Sequence, residues 1–255
     1  MEEQIDKLVK KTWAKYHEIA SSKRLMIAVS GIPGSGKTTL ASKVVKRLNE
    51  LHHENSPGLA QSEQLAVFIP MDGYHLSREQ LSSMQDPDTA HARRGAAFTF
   101  DAPAFLKLVK ELRQPLCPET KTLYAPSFDH ALKDPVYNDI PISPELRILI
   151  FEGNYLSLGS GAPEWKEAAE LMDELWFVEV DEDVAKQRLI KRHIVAGLAS
   201  NEEEAAHRAE NNDLVNGREI VKGRLNVHEI IVSKHDQAWK PERQGMEDAQ
   251  KGPEA

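Results

Sequence analysis

Hydrophobic and polar positions follow two rhythms along the chain. Ile5, Leu8, Val9, Trp13 and Tyr16 recur at three- and four-residue spacing, which predicts an amphipathic helix over residues 1–20 packed on the body of the protein. Short continuous apolar runs then appear at 24–30 (RLMIAVS), 65–70 (LAVFIP), 146–151 (LRILIF), 175–180 (LWFVEV) and 227–232 (VHEIIV). Helix-period stretches separate them at 37–51, 101–113, 164–172, 182–196 and 202–222. Apolar strands alternating with helices predict an α/β fold in three layers, with a mostly parallel sheet covered on both faces. Three segments read as loops: 53–64, the proline-rich 115–145, and the polar stretch 234–255. The predicted organisation is a helix over 1–23, one domain over 24–233 and a polar tail over 234–255.

Composition narrows the classes. Two hundred fifty-five residues fit one large domain better than two cores at about 150 residues each. Forty acidic against 32 basic side chains leave a net charge of −8, so no positive field gathers nucleic acid. A single cysteine, Cys117, rules out an internal disulfide framework and a multi-cysteine zinc site. The apolar runs are far shorter than the roughly 20 residues of a membrane span. Glu2, Glu3 and Asp6 stand where a secretory leader would be basic or apolar. A cytoplasmic protein with no membrane partner is the expectation.

The strongest chemical signal follows the first strand. Gly31-Ile-Pro33-Gly34-Ser35-Gly36-Lys37-Thr38-Thr39 satisfies G-x-x-x-x-G-K-[ST] between an apolar run and a helix. Glycines let the backbone curl so that consecutive N–H groups face an anion at the positive end of the following helix. Lys37 is expected to reach the β- and γ-phosphates and the Thr38 hydroxyl to ligate Mg²⁺. Ligands of parallel sheets sit beyond the carboxyl ends of the strands, so the residues after each run matter most. Asp72, in Met71-Asp-Gly-Tyr-His75, is the candidate base for an attacking hydroxyl, with His75 a candidate substrate contact. Glu152, after the 146–151 run and before Tyr155, is a candidate Mg²⁺ ligand. Arg188 and Arg192 lie four residues apart on one helix face, where two guanidinium groups could close over polyphosphate. Arg93 and Arg94 are candidates for binding an anionic or polyhydroxyl substrate.

Taken together, GIPGSGKTTLA, MDGYHL, ARRGAAFTFDAPAFL, PSFDHALKDPV, ILIFEGNYL, RLIKRH and ENNDLVNGREI resemble the phosphoribulokinase/uridine kinase/pantothenate kinase branch of P-loop kinases, including its fungal uridine-kinase-like and fructose-transport-kinase-like members. The resemblance covers about residues 24–232. It implies a P-loop NTPase fold with a helical lid, ATP with Mg²⁺, and transfer of phosphate to a hydroxyl of a nucleoside, pantothenate-like or sugar-like molecule. It further implies that Asp72 is the base, that Arg188 and Arg192 form the lid over ATP, and that the insertion around 124–136, with Asp129 and His130, lines the acceptor site; Tyr155 is placed among the substrate contacts. Asn211, Asp213 and Asn216 fall in the family-like stretch on the nucleotide side. Oligomeric state stays open, a homodimer included.

Other classes fit less well. The guanine motif N-K-x-D and the switch motif D-x-x-G of regulatory GTPases are absent, as is the L-S-G-G-Q of transporter ATPases. The serious rival is an ATP-binding regulatory protein with slow or no catalysis.

Overall fold

The computed structural model describes residues 1–58, 60 and 62–234. Helix α1 (Glu2–Glu18) leads into strand β1 (Leu25–Gly31), the loop 32–36 and helix α2 (Lys37–Asn55). Strand β2 (Ala66–Pro70) ends in a 3₁₀ turn, Met71–Tyr74, followed by short helices α3 (Arg78–Ser82) and α4 (Pro87–Ala92), then α5 (Ala102–Leu112). Strands β3 (Leu123–Asp129), β4 (Asp134–Ile142) and β5 (Ile148–Glu152) precede α6 (Pro163–Glu170), β6 (Glu174–Glu179) and α7 (Glu182–Val195). Helix α8 (Glu202–Arg208), a π-helical turn (Ala209–Asp213), α9 (Leu214–Gly223) and β7 (Glu229–Val232) close the described chain.

Five strands form one parallel sheet in the order β2-β5-β1-β6-β7. The burial pattern explains their continuous apolar sequences. All of β1 and β5 is buried because helices cover both faces. One face carries Ile27, Val29, Ile148, Ile150, Trp176 and Val178 against α2 and α1. The other carries Met26, Ala28, Leu149, Phe151 and Phe177 against α5, α6 and α9, where Phe105 meets Phe151 edge-on at 5.9 Å between ring centroids. Side chains of this size contribute roughly 1.5–3 kcal/mol each when fully buried.

Helix side chains cover the outer edges of the sheet at single residues. On β2, Asn49 of α2 accepts from the N–H groups of Leu65 and Ala66 and donates to the Ala66 carbonyl. On β7, Gln4 of α1 accepts from Val232 N–H and donates to its carbonyl. Helix α1 is further tied to the sheet through Glu174, which accepts from Trp176 Nε1 at 2.6 Å and pairs with Lys11 and Lys15 at 2.9 and 3.0 Å.

Two expectations are corrected. The segment 115–145, read as a loop, contains the antiparallel ribbon β3–β4, with Phe128 opposite Pro135 and Tyr124 opposite Pro141. A two-stranded ribbon has two free edges, so prolines sit in it without removing ladder bonds, and the register shift between Ala125 and Ser127 blurs the period-2 signal. The helix read over 202–222 is interrupted by the π-helical turn, whose extra residue leaves the hydrophobic periodicity nearly intact. The tail predicted over 234–255 lies outside the described residues from 235 onward.

Burial alone would push the Glu174 carboxyl up, but hydrogen bonds from Trp176, Lys11 and Lys15 hold it below its ordinary 4.5. A depressed folded-state value means that its stabilisation is complete above the ordinary value of 4.5 and is lost as the pH falls from there through the folded value. Glu174→Ala is therefore expected to cost about 2–4 kcal/mol at pH 7, because the Trp176 N–H is left buried and unpaired. Urea melts at pH 7 and 3.5 measure this; the difference between parent and variant shrinks at the lower pH, and an equal difference at both would refute the assignment.

Candidate active site

The register of three parallel strands brings the predicted chemistry to one rim. Val29 pairs with Glu152 and Glu152 with Pro70, so the loop after β1, the end of β5 and the turn after β2 leave the sheet side by side. The loop 32–36 needs its glycines. Gly34 has φ +80°, and a Cβ there would stand 2.8 Å from the Ala185 carbonyl of α7. Gly36, at φ +88°, caps α2 without any side-chain bond, and the first helical bond runs from Leu40 N–H to the Gly36 carbonyl. The N–H groups of Lys37, Thr38 and Thr39 thus have no acceptor within the helix. Ser35 adds a buried hydroxyl without a partner among the described residues. These unspent donors fit a polyphosphate.

Lys37 and Glu152 are 9% and 5% exposed, and their charged atoms stand 3.8 Å apart. Thr38 Oγ1 donates to the same Glu152 oxygen at 3.1 Å. Burial lowers the Lys37 ammonium from its ordinary value against the pull of Glu152. Burial likewise raises the Glu152 carboxyl to about 7, opposed by Lys37 and assisted by Asp72. A hydroxyl and a carboxylate are hard oxygen donors suited to Mg²⁺, and two protein ligands leave positions for water and phosphate oxygens. Among the described residues no cluster of three or more His, Cys, Asp or Glu could cage a metal without such help.

Asp72 lies on the 3₁₀ turn, half exposed, with His75 Nδ1 3.9 Å from its carboxylate and 2.8 Å from its backbone carbonyl. The His75 ring packs on Phe100 and Phe128, at 4.0 and 4.9 Å between centroids, and burial lowers its pKa. Next to this turn opens a cavity of about 280 Å³ between α5 and the β3–β4 ribbon, with Tyr74, His75, Asp101, Tyr124 and Tyr137 in its wall. The turn is pressed onto β3: a Cβ on Gly73 would stand 2.1 Å from the Pro126 carbonyl. A cavity of about 360 Å³ between β6, β7 and α9 reaches the phosphate loop only through Ile32.

Several predicted contacts stand elsewhere. Arg188 Nη1 donates to the carbonyls of Gly34 (3.1 Å) and Ser35 (3.4 Å) and to Ser233 Oγ, bracing the loop instead of reaching over it. Arg192, one turn on, keeps a guanidinium that is 60% exposed and 3.9 Å from Asp213. Arg93 and Arg94, read as anion binders, are held by the protein: Arg93 by Asn212 and Asn216, Arg94 by Asp134 and the carbonyls of Leu76 and Lys133. Tyr155 is buried, and its hydroxyl donates to the Gly95 carbonyl at 2.7 Å. Asp129 caps the tip of the ribbon by accepting from Ala131 and Leu132 N–H, and His130 is exposed beside it; neither lines the cavity. Of the cavity residues, Tyr124 opens the insertion 124–136 expected to line the acceptor site, whereas Tyr137 lies just beyond it and Asp101, which accepts from Ala104 N–H at the start of α5, carries no sequence signal of its own.

A carboxyl raised in the fold binds a proton that the unfolded chain releases, so Glu152 makes stability fall as the pH rises from 4.5 to about 7. The Glu152 ¹³Cδ resonance of the ligand-free protein is expected to titrate near pH 7, and in Lys37→Met the midpoint moves higher. A midpoint below 5 in the parent would refute the buried pair.

Comparison with known proteins identifies the family. The model of the phosphoribulokinase/uridine kinase family matches residues 26–199. The ATP-dependent kinase-like protein notR' of Aspergillus versicolor is 52% identical over 161 residues, 63% of this chain and 92% of that protein. C227.14 of Schizosaccharomyces pombe, named as a provisional uridine kinase, is 43% identical over 193 residues, 76% of each chain. The solved structure of YFH7 from Saccharomyces cerevisiae, described as a provisional P-loop-containing kinase with a circular permutation, superposes with a TM-score of 0.79 at 25% identity, over 91% of this chain and 99% of that one. With its phosphate loop, parallel sheet and rim of acidic strand ends, the chain belongs to the phosphoribulokinase/uridine kinase family of P-loop kinases.

Proposed function

We propose that the protein transfers the γ-phosphate of Mg·ATP to a hydroxyl of a small molecule held in the cavity beside Asp72. The observation that carries this reading is the position of Asp72. It is half exposed, its charge acts on both Lys37 and Glu152, and the three residues that follow it, Gly73 to His75, line the 280 Å³ cavity. That volume suits a nucleoside, a pantothenate-like alcohol or a sugar, and excludes a macromolecular acceptor from full enclosure.

The chain's own residues divide the work. The free N–H groups at the start of α2 and the Lys37 ammonium hold the β- and γ-phosphates. Thr38 and Glu152 hold Mg²⁺, which when bound neutralises charge on the phosphates. As polyphosphate and metal enter, Lys37 and Glu152 become paired with charges they lack in the free protein, and both are held ionised. Asp72 orients the acceptor hydroxyl and takes its proton as the oxygen attacks. Arg188 keeps the loop carbonyls turned away from the phosphates, and Arg192 supplies positive charge from the solvent side. The aromatic wall of Tyr74, Tyr124 and Tyr137 packs the body of the acceptor, with Asp101 placed to accept from its other hydroxyls.

The test is ADP release from Mg·ATP with a panel of nucleosides, pantothenate, vitamin-like alcohols, sugars and sugar phosphates, with mass detection of the product. One phosphorylated mass is the expected result. ATP binding with no acceptor-stimulated turnover would move the protein to the regulatory class. With the acceptor found, Asp72→Asn is expected to lower transfer by at least about 100-fold while ATP affinity is retained, whereas Lys37→Ala weakens both. Undiminished turnover in Asp72→Asn would remove Asp72 from the role of base.

A further inference from the structure

We propose that Asp213 is a positioning residue, which holds the Arg192 guanidinium beside the phosphate loop so that it can pass to the γ-phosphate. The proposal rests on the kinase reading above and deepens it. Arg192 keeps an exposed guanidinium at this rim, and a long side chain on an exposed helix face samples many rotamers unless something gathers it. Asp213 is the group that does so, at 3.9 Å, a contact long enough to be surrendered to a phosphate.

Asp213 is itself held from two directions. His193, 3% exposed, gives Nε2 to Asp213 Oδ2 at 2.9 Å; among the described residues its Nδ1 has no partner, and Asp213 is the polar tie of a buried ring. That bond occupies one carboxylate oxygen and leaves Oδ1 to Arg192. The second hold is the π-helical turn. Its neighbouring residue Asn212 accepts from Arg93 Nε at 3.1 Å and donates to the Arg94 carbonyl at 3.1 Å, and Asn216 accepts from Arg93 Nη2 at 2.8 Å. Consecutive residues therefore serve different neighbours, Asn212 the segment after α4 and Asp213 the helix α7. The extra residue of a π turn makes such a change of direction available, and these turns concentrate at working sites. Arg192 and Asp213 both contribute to the field at Lys37, in opposite senses, which places the pair within reach of the buried Lys37–Glu152 centre.

The experiment compares Mg·ADP with Mg·ATPγS binding by calorimetry in the parent, Asp213→Asn, Arg192→Ala and the double variant, so that no acceptor is needed. The parent is expected to prefer ATPγS. Asp213→Asn loses about tenfold in ATPγS affinity with little change for ADP, Arg192→Ala does the same, and the double variant is no worse than Arg192→Ala. A merely structural role would lower both affinities together. Asp213→Ala, which also removes the charge, is the second variant should Asp213→Asn not fold. A preference kept in the 213 variants, an Asp213→Asn loss that adds in full to that of Arg192→Ala, or a parent without preference overturns the proposal while leaving the kinase reading intact. A parent that binds neither nucleotide overturns both.

Discussion

A lysine ammonium and a glutamate carboxyl share one dry space where the two central strands end. Each is buried enough to lose its ordinary affinity for charge, and neither has the partners that burial demands. Their meeting depends on strand register, because β1, β5 and β2 pair so that Val29, Glu152 and Pro70 lie in one row across the sheet. A slip of one residue in β5 would turn Glu152 to the opposite face and take Thr38 and Lys37 out of its reach. The apolar faces above and below the sheet fix that register. The packing of Phe105, Phe151 and Trp176 is in this sense the support of the phosphate site.

The five sheet strands and the phosphate loop were legible because their signals are local. A run of buried β-branched and aromatic residues looks the same wherever its partner strand lies, and glycines at 31, 34 and 36 announce a loop geometry by themselves. Arg93 and Arg94 were not legible in the same way. Sequence shows that a guanidinium is present, and its ownership is decided by Asn212, Asn216 and Asp134, tens of residues to more than a hundred away in the chain. Tyr155 repeats the lesson, since its acceptor is the backbone of Gly95. The β3–β4 ribbon was hidden by prolines that an interior strand would not tolerate. Asp72 and Glu152 stood out because a carboxylate ending an apolar strand has few reasons to be there.

The segment 93–95 emerges as a joint. Arg94 fastens it to the ribbon that walls the cavity, Arg93 fastens it to the π turn beside α7, and Gly95 receives Tyr155 from the turn that follows the strand ending in Glu152. Two arginines that looked like ligands for substrate are instead the means by which three parts of the site keep their distances.

The side-chain amides on the outer strands have a consequence for growth of the sheet. Successive residues of an edge strand point their backbone groups inward and outward in turn, so β2 offers Ala66, Phe68 and Pro70 to the outside. Asn49 has taken Ala66, and Pro70 has no N–H to give, which leaves Phe68 alone. On β7 the same alternation offers Ile230 and Val232, and Gln4 has taken Val232. A foreign strand would find one unmated residue on either side, too little to zip against. Growth of the five-stranded sheet through its backbone is thereby refused at both flanks.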